Sequence, residues 1–296
     1  MSEQRPTRRK TAVGRGPHEG PTAALYVYCV GFSDSLAPLV GEGGPGAIED
    51  AAPLELVGEG GLAAVVSAVP LADYGEEGLK ARLADAAWTA TRALRHERAV
   101  EHFARRAAVV PLRFGTIYLK RESVARMLAE RAASLRAALA RVEGREEWGV
   151  NLYVSRAVLR GEVERVSPRL RELAERAAAS APGQAYLLRK KIEAARDEET
   201  RAETRRAAAE AERRLRAVSE AAARLRVLKD EAAGQGEVAA RLAFLVPRAR
   251  FEEFRAAAEA VAADYAPLGF RLELTGPWPA YNFVAPGDEE RLGVRG

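Results

Sequence analysis

Apolar and polar positions first fall into a regular pattern at "ALYVYCVG" (24–31), where β-branched and aromatic residues run up to a glycine; such a run reads as a strand. "LELVGEGGLAAVVSAVP" (54–70) has the same character on both sides of Gly58–Gly61 and predicts a hairpin. From Gly78 to Arg106 there is no further glycine and no proline, and Leu79, Leu83, Ala87, Ala90, Leu94 and Phe103 recur at roughly helical spacing. That spacing predicts one long amphipathic helix. "AVVPLRFGTIYL" (108–119) is strand-like but interrupted by Pro111 and Gly115, and Glu122–Arg141 is helical until Gly144 stops it.

A second strand, "EWGVNLYVSRAVL" (147–159), opens another α/β unit, followed by helix from Ser167 and a break at Pro182–Gly183. From 184 to 233 the chain has neither glycine nor proline, which predicts a continuous helix of roughly 75 Å at 1.5 Å per residue. Between Glu193 and Arg214 every apolar residue is alanine, so this part offers no broad core stripe and is expected to project into solvent or pack on something thin. Leu215, Val218, Ala222, Leu225 and Leu228 then restore a 3–4 repeat, read as a packing face on the same helix. "VAARLAFLVPR" (238–248) is a buried strand, Phe251–Tyr265 a helix, and "FRLELTGPWPAYNFV" (270–284) a last strand and corner. The resulting β-α-α-β-α-β order suits an α+β fold, with an antiparallel or mixed sheet covered by helices on one face.

At 296 residues and 48% apolar, the chain can bury a real core and is long enough for two domains. No run approaches the roughly 18 apolar residues of a membrane span, and the N-terminus lacks the apolar stretch of a signal peptide, so a cytoplasmic protein is expected. The one cysteine, Cys29, cannot form an internal disulfide and sits among alternating apolar residues as a small hydrophobe. The net charge is only +4, and part of it comes from residues 1–20, where Arg5, Arg8, Arg9, Lys10 and Arg15 face Glu3 and Glu19. With almost no large apolar side chain, that stretch reads as a disordered basic tail that can touch anionic surfaces weakly. The long helix mixes arginine with glutamate and nearly lacks aromatics after Tyr186, a solvated face rather than a nucleic-acid surface.

Candidate chemistry is sparse. "GEGGPG" (41–46) satisfies G-x-G-x-x-G, but Pro45 and Pro53 leave no room for the helix a dinucleotide site requires, so a loop is expected. In "HERAVEH" the two histidines, His96 and His102, are six apart and roughly 240° around a helix, unlike the i, i+4 pair of a metal-binding helix. No serine or cysteine has an identifiable histidine partner. No catalytic, cofactor-binding or metal-binding residue is assigned.

The ordered set "ALYVYCV", "HERAVEHF" with "VVPLRFGTIY", "EWGVNLYV", "GQAYLLRKK", "LAFLVPR" and "LTGPWPAYNFV" resembles the gas vesicle protein F/L family, from about residue 24 to 284. The resemblance implies a non-enzymatic, cofactor-free accessory protein of gas vesicle formation, located in the cytoplasm or at the vesicle. It also implies an N-terminal α/β domain (21–146) and a C-terminal ferredoxin-like domain (147–285); the long helix read from the residues falls within the second, and 286–296 are expected as a flexible tail. The implied partners are the small hydrophobic shell protein and other gas vesicle accessory proteins. The competing reading is a weak nucleic-acid or nucleotide binder using the basic tail or the Gly41–Gly46 loop.

Two places could hold a hydrophobic partner. The corner at 276–281 resembles the family's terminal "GPWPPY", with Ala280 in place of a further proline; Trp278, Tyr281 and Phe283 either lock the last strand or present an anchor. The second is a groove between the two α/β units, bordered by the helix Leu79–Phe103 and by "VVPLRFGTIY". There Phe114 and Tyr118, two strand steps apart, are expected to point to one side, as core or as anchors.

Overall fold

The computed structural model describes residues 22–41, 44–50, 52–227, 236–284 and 293–295. The basic tail at 1–20 and most of the C-terminal tail lie outside them. The first unit comprises β1 (Ala23–Phe32), α1 (Ser33–Leu36), β2 (Glu55–Glu59), β3 (Leu62–Pro70), α2 (Leu71–Tyr74), α3 (Glu76–Leu83) and α4 (Ala86–Ala104). It continues with β4 (Val109–Pro111), β5 (Thr116–Tyr118), α5 (Arg121–Glu130) and α6 (Ala132–Val142). The second unit comprises β6 (Arg145–Val154), α7 (Arg156–Val166), α8 (Pro168–Ala178), α9 (Pro182–Arg216), β7 (Ala221–Arg224), β8 (Glu237–Pro247), α10 (Phe251–Tyr265) and β9 (Phe270–Trp278). A last turn, α11 (Tyr281–Val284), and β10 (Gly293–Arg295) follow.

In the first sheet β1 is central: it pairs antiparallel with β3, β4 and β5, β2 extends the hairpin from β3, and β10 adds parallel to β5. The helix expected over Gly78–Arg106 is two helices. Asp85 stands between α3 and α4, and its carboxylate accepts the N–H groups of Ala87 and Trp88, so a capping residue inside a glycine-free run restarts the helix. The strand expected over 147–159 likewise ends at Val154, with helix from Arg156.

The second sheet has the order β7-β8-β6-β9 with antiparallel neighbours throughout. Counted from β6 this is 2-3-1-4, the ferredoxin-like arrangement, with α10 and the C-terminal half of α9 on one face. The helix expected to run from 184 to 233 stops at Arg216, and 221–224 form an edge strand paired with β8, from Ala221 opposite Leu245 to Arg224 opposite Leu242. The repeat read as helical is satisfied there with period two: Ala222 joins the helix-covered core, while Ala221, Ala223 and Leu225 face the other way. Backbone pairing to β8 outweighs the helix propensity of alanine, a tertiary effect no local pattern contains. Leu228 lies outside the described residues. The alanine-rich middle of α9 does not project into solvent. Ala207, Ala208 and Ala211 are buried with Leu152, Val154 and Val261, their short side chains bringing the helix close to the sheet. The N-terminal half of α9 packs on α7 and α8 through Ile192 and Ala195. Among the described residues no helix is long and apolar enough to cross a membrane.

The two units share a core. Ala243 and Leu245, on the face of the second sheet away from α10, are buried together with Tyr118, Leu139 and Val142 of the first unit and with Phe283 and Val284 of α11. Beyond β9 the chain therefore turns back onto the first unit. There Tyr281 donates its hydroxyl proton to Glu97 (3.1 Å), and its oxygen lies 3.1 Å from His96 Nε2. His96 Nδ1 lies 2.9 Å from the hydroxyl of Tyr26, which in turn accepts the N–H of Gly115. One proton order satisfies every atom: Gly115 to Tyr26, Tyr26 to Nδ1, Nε2–H to Tyr281, Tyr281 to Glu97. His96 is fully buried, and burial lowers its pKa to about 4, so it is neutral in the folded chain near pH 7.

Two outcomes follow from this packing. Between pH 6.5 and about 4 the unfolded chain carries a proton on His96 that the folded chain does not, so this group's contribution is lost as pH falls through that window, to roughly 3 kcal/mol. Glu97 and Glu147, whose carboxyls burial raises, act in the opposite sense. Urea midpoints at pH 7 and 4.5 should show a smaller acid loss in His96→Gln than in the parent chain. Tyr118 is 4% exposed, and Tyr118→Ser should cost roughly 2–4 kcal/mol, read as a drop of several degrees in melting temperature.

Candidate partner-binding cleft

A cleft of about 490 Å³ opens between the two units. One wall is the C-terminal end of α4 with Pro38 and Leu39; the other is the start of β6 with the corner Pro277–Ala280. Its rim charges are largely paired, Arg105 with Glu101 and Arg248 with Glu146 at 3.2 Å. Arg248 also points at the carbonyls of Ala104 and Arg105, where the C-terminal end of α4 favours a cation. The rim therefore presents no strong field of either sign. The large apolar surface in the cleft is Trp278, which is 52% exposed.

The corner is built around that indole. Gly276 sits at φ 126°, a conformation side chains other than glycine's strain to adopt, and a Cβ there would lie 3.0 Å from the Glu147 carbonyl. The Gly276–Pro277 bond is cis, and the β6–β9 register shifts between Glu147 and Gly149. The indole Nε1–H of Trp278 donates to Thr275 Oγ1 at 3.1 Å. On the facing strand, a Cβ at Gly149 would stand 2.6 Å from that same Oγ1 and 3.6 Å from Nε1. The missing side chain makes room for the Thr275 hydroxyl that holds the ring. An indole held in place before contact loses little entropy on binding, and tryptophan is among the residues that dominate interface energetics.

Beneath the corner, Glu147 is 4% exposed and accepts the backbone N–H of Asn282 at 3.0 Å and its side-chain amide. Burial raises its carboxyl above the usual range, and the two bonds from Asn282 oppose that rise. Glu147 and Tyr281 thus fasten α11 to opposite walls of the cleft.

The five residues proposed from sequence separate. Trp278 lines the cleft; Tyr281 and Phe283 face inward, the first onto His96 and the second into the shared core. Phe114 and Tyr118 do not point to one side. Phe114 packs near Tyr26 and His96, whereas Tyr118 is on the opposite face with Leu139, because the turn at Phe114–Gly115 interrupts the strand and cancels its alternation. The helix bordering the expected groove does reach the cleft, through the last turn of α4 rather than its length. At the Gly41–Gly46 loop no helix opens before β2 among the described residues; Gly44 bonds back to Gly41. Gly149, Thr275, Glu147, Asn282 and Arg248 were not singled out from sequence. Only Gly149, a glycine inside an otherwise regular strand, carried a readable signal of close approach.

Comparison with known proteins fits this architecture. Residues 24–285 match the family model described as gas vesicle synthesis protein GvpL/GvpF. A gas vesicle protein L from Streptomyces sp. (strain CB03234) is 32% identical over 215 residues, covering 71% of this chain and 75% of the relative. The crystal structure of gas vesicle protein GvpF from Anabaena sp. PCC7120 superposes with a TM-score of 0.63 at 14% identity, covering 91% of this chain and 99% of that one. GvpF from Microcystis aeruginosa gives 0.56 at 16% identity, covering 89% and 99%. At such identity these two structures speak to fold alone. The family match, which runs from β1 through α11, makes this chain a member of the gas vesicle GvpL/GvpF family.

Proposed function

We propose that this chain is a non-enzymatic accessory protein of gas vesicle assembly that holds the small hydrophobic shell protein in the cleft between its two units. The observation that carries the reading is the half-exposed, hydrogen-bonded Trp278, set over Gly149 in a cleft with paired rim charges. An apolar subunit that must stay unassembled needs its surface covered, and one rigid aromatic in a neutral cleft gives such a subunit an anchor without a competing field. The protein acts in the cytoplasm and at growing vesicles.

The test is co-expression with an affinity-tagged shell protein. Trp278→Ala should leave the melting temperature nearly unchanged, because the ring is half in water, while co-purification falls roughly thirtyfold, as for loss of a central anchor. Gly149→Val keeps the tryptophan but displaces it, and should also lower capture. Full capture by a folded Trp278→Ala chain would remove the cleft as the binding site. Normal vesicles after deletion of the gene, with no second family member present, would remove the assembly role itself.

A further inference from the structure

Sheet edges carry rows of backbone N–H and C=O groups that pair with any strand reaching them. At β2 this edge is occupied from α5 and α6: Arg121 donates to the Leu56 carbonyl and Arg136 to that of Gly60. β7 is only four residues long. β9 is nine residues long and ends the second sheet on the other side, and among the described residues no strand pairs its outer edge. Leu272 and Leu274 are only partly buried there. Its stretch Phe270–Thr275 contains no proline; Gly276 and Pro277 close it, since Pro277 has no N–H to give.

We propose that β9 pairs antiparallel with β9 of a second copy of this chain about a two-fold axis, joining two four-stranded sheets into one of eight strands. The charge pattern selects the register. In such a pair directly opposite residues share a face, so the axis must pass through a residue rather than between two. Centring on Leu272 sets Arg271 opposite Glu273 twice on one face, with Leu272 against itself and Phe270 against Leu274 on the other. Centring on Glu273 would set carboxylate against carboxylate, which is destabilising. On that face Arg271 and Glu273 also both reach Tyr153 of the neighbouring strand β6. Tyr153, between them on the same face, donates to Glu273 Oε2 at 3.0 Å, and its ring lies 4.3 Å under the Arg271 guanidinium. A carboxylate holding a tyrosine through one oxygen keeps acceptor capacity on the other.

Sedimentation equilibrium of the full chain tests this without reference to the shell protein. The expected result is a monomer–dimer equilibrium. Arg271→Glu and Glu273→Arg should each weaken self-association roughly tenfold, since each homodimer then carries two like-charge contacts. An equimolar mixture of the two variants should recover the parent dimer, because every contact is again between opposite charges. That recovery is read even if one variant is less stable alone. A chain that stays monomeric up to ~100 μM, where even small interfaces associate, would overturn the proposal. So would a dimer indifferent to both substitutions, or a mixture no tighter than its components; the last two outcomes would place self-association elsewhere or assign the β9 edge to a different protein.

Discussion

In a dry core a neutral imidazole needs one donor and one acceptor, and a ring nitrogen left without a partner costs about 1–3 kcal/mol. Tyr26 serves one nitrogen of His96; the other is served by Tyr281, which lies 185 residues further along the chain. The Leu112 carbonyl of the first unit also serves the ring, and Tyr281 ties this buried histidine to the end of the second unit. The return of the chain to the first unit places Ala280 and α11 in the shared core, next to the corner that sets Trp278 across from α4. The cleft lies beside this tie between the start and the end of the chain.

The second sheet has different surroundings at different places. One face is covered by α10 and α9, where alanine permits close approach. The opposite face is divided: Ala243 and Leu245 are buried against the first unit, while Asn151, Tyr153 and Glu273 form a hydrogen-bonded group on the part the first unit leaves uncovered. The arginines of the helical layer give it no cationic surface to match their number. Arg160 is paired with Glu193 and Asp197, Arg196 with Glu164, and Arg213 and Arg214 with Glu210. Exposed pairs of this kind contribute little to stability, but they offset part of the positive charge that composition alone would make attractive to nucleic acid.

What could be read from sequence divides along the range of the interactions concerned. Helix Phe251–Tyr265 and the hairpin over 54–70 follow from periodicity and turn residues within one window, and the structure has them there. The restart at Asp85 is also local, an N-capping residue before a helical run, in a stretch where neither glycine nor proline marks the break. β7 was not local: an alanine stretch becomes a strand because β8 offers it a partner. The parity of Phe114 and Tyr118 failed at one turn, since alternation holds only along uninterrupted strand. At the corner, the stiffness implied by two prolines was legible, whereas the different fates of its aromatics were not, because His96, Gly149 and Glu147 are distant in sequence.

Those different fates have a physical cause. Tyr281 carries a hydroxyl that finds both a donor and an acceptor inside the first unit, so burying it leaves no polar atom unsatisfied. Trp278 has one polar atom, and Thr275, three residues earlier, satisfies it at the surface. With that bond made locally, no buried acceptor draws the ring inward, and the adjoining backbone is held by Gly276 and Pro277. Half of an indole left in water represents roughly 2 kcal/mol of apolar burial that folding does not take up. The corner is stiff enough to keep that surface from collapsing onto the protein, so the same stabilisation remains available to whatever apolar surface enters the cleft.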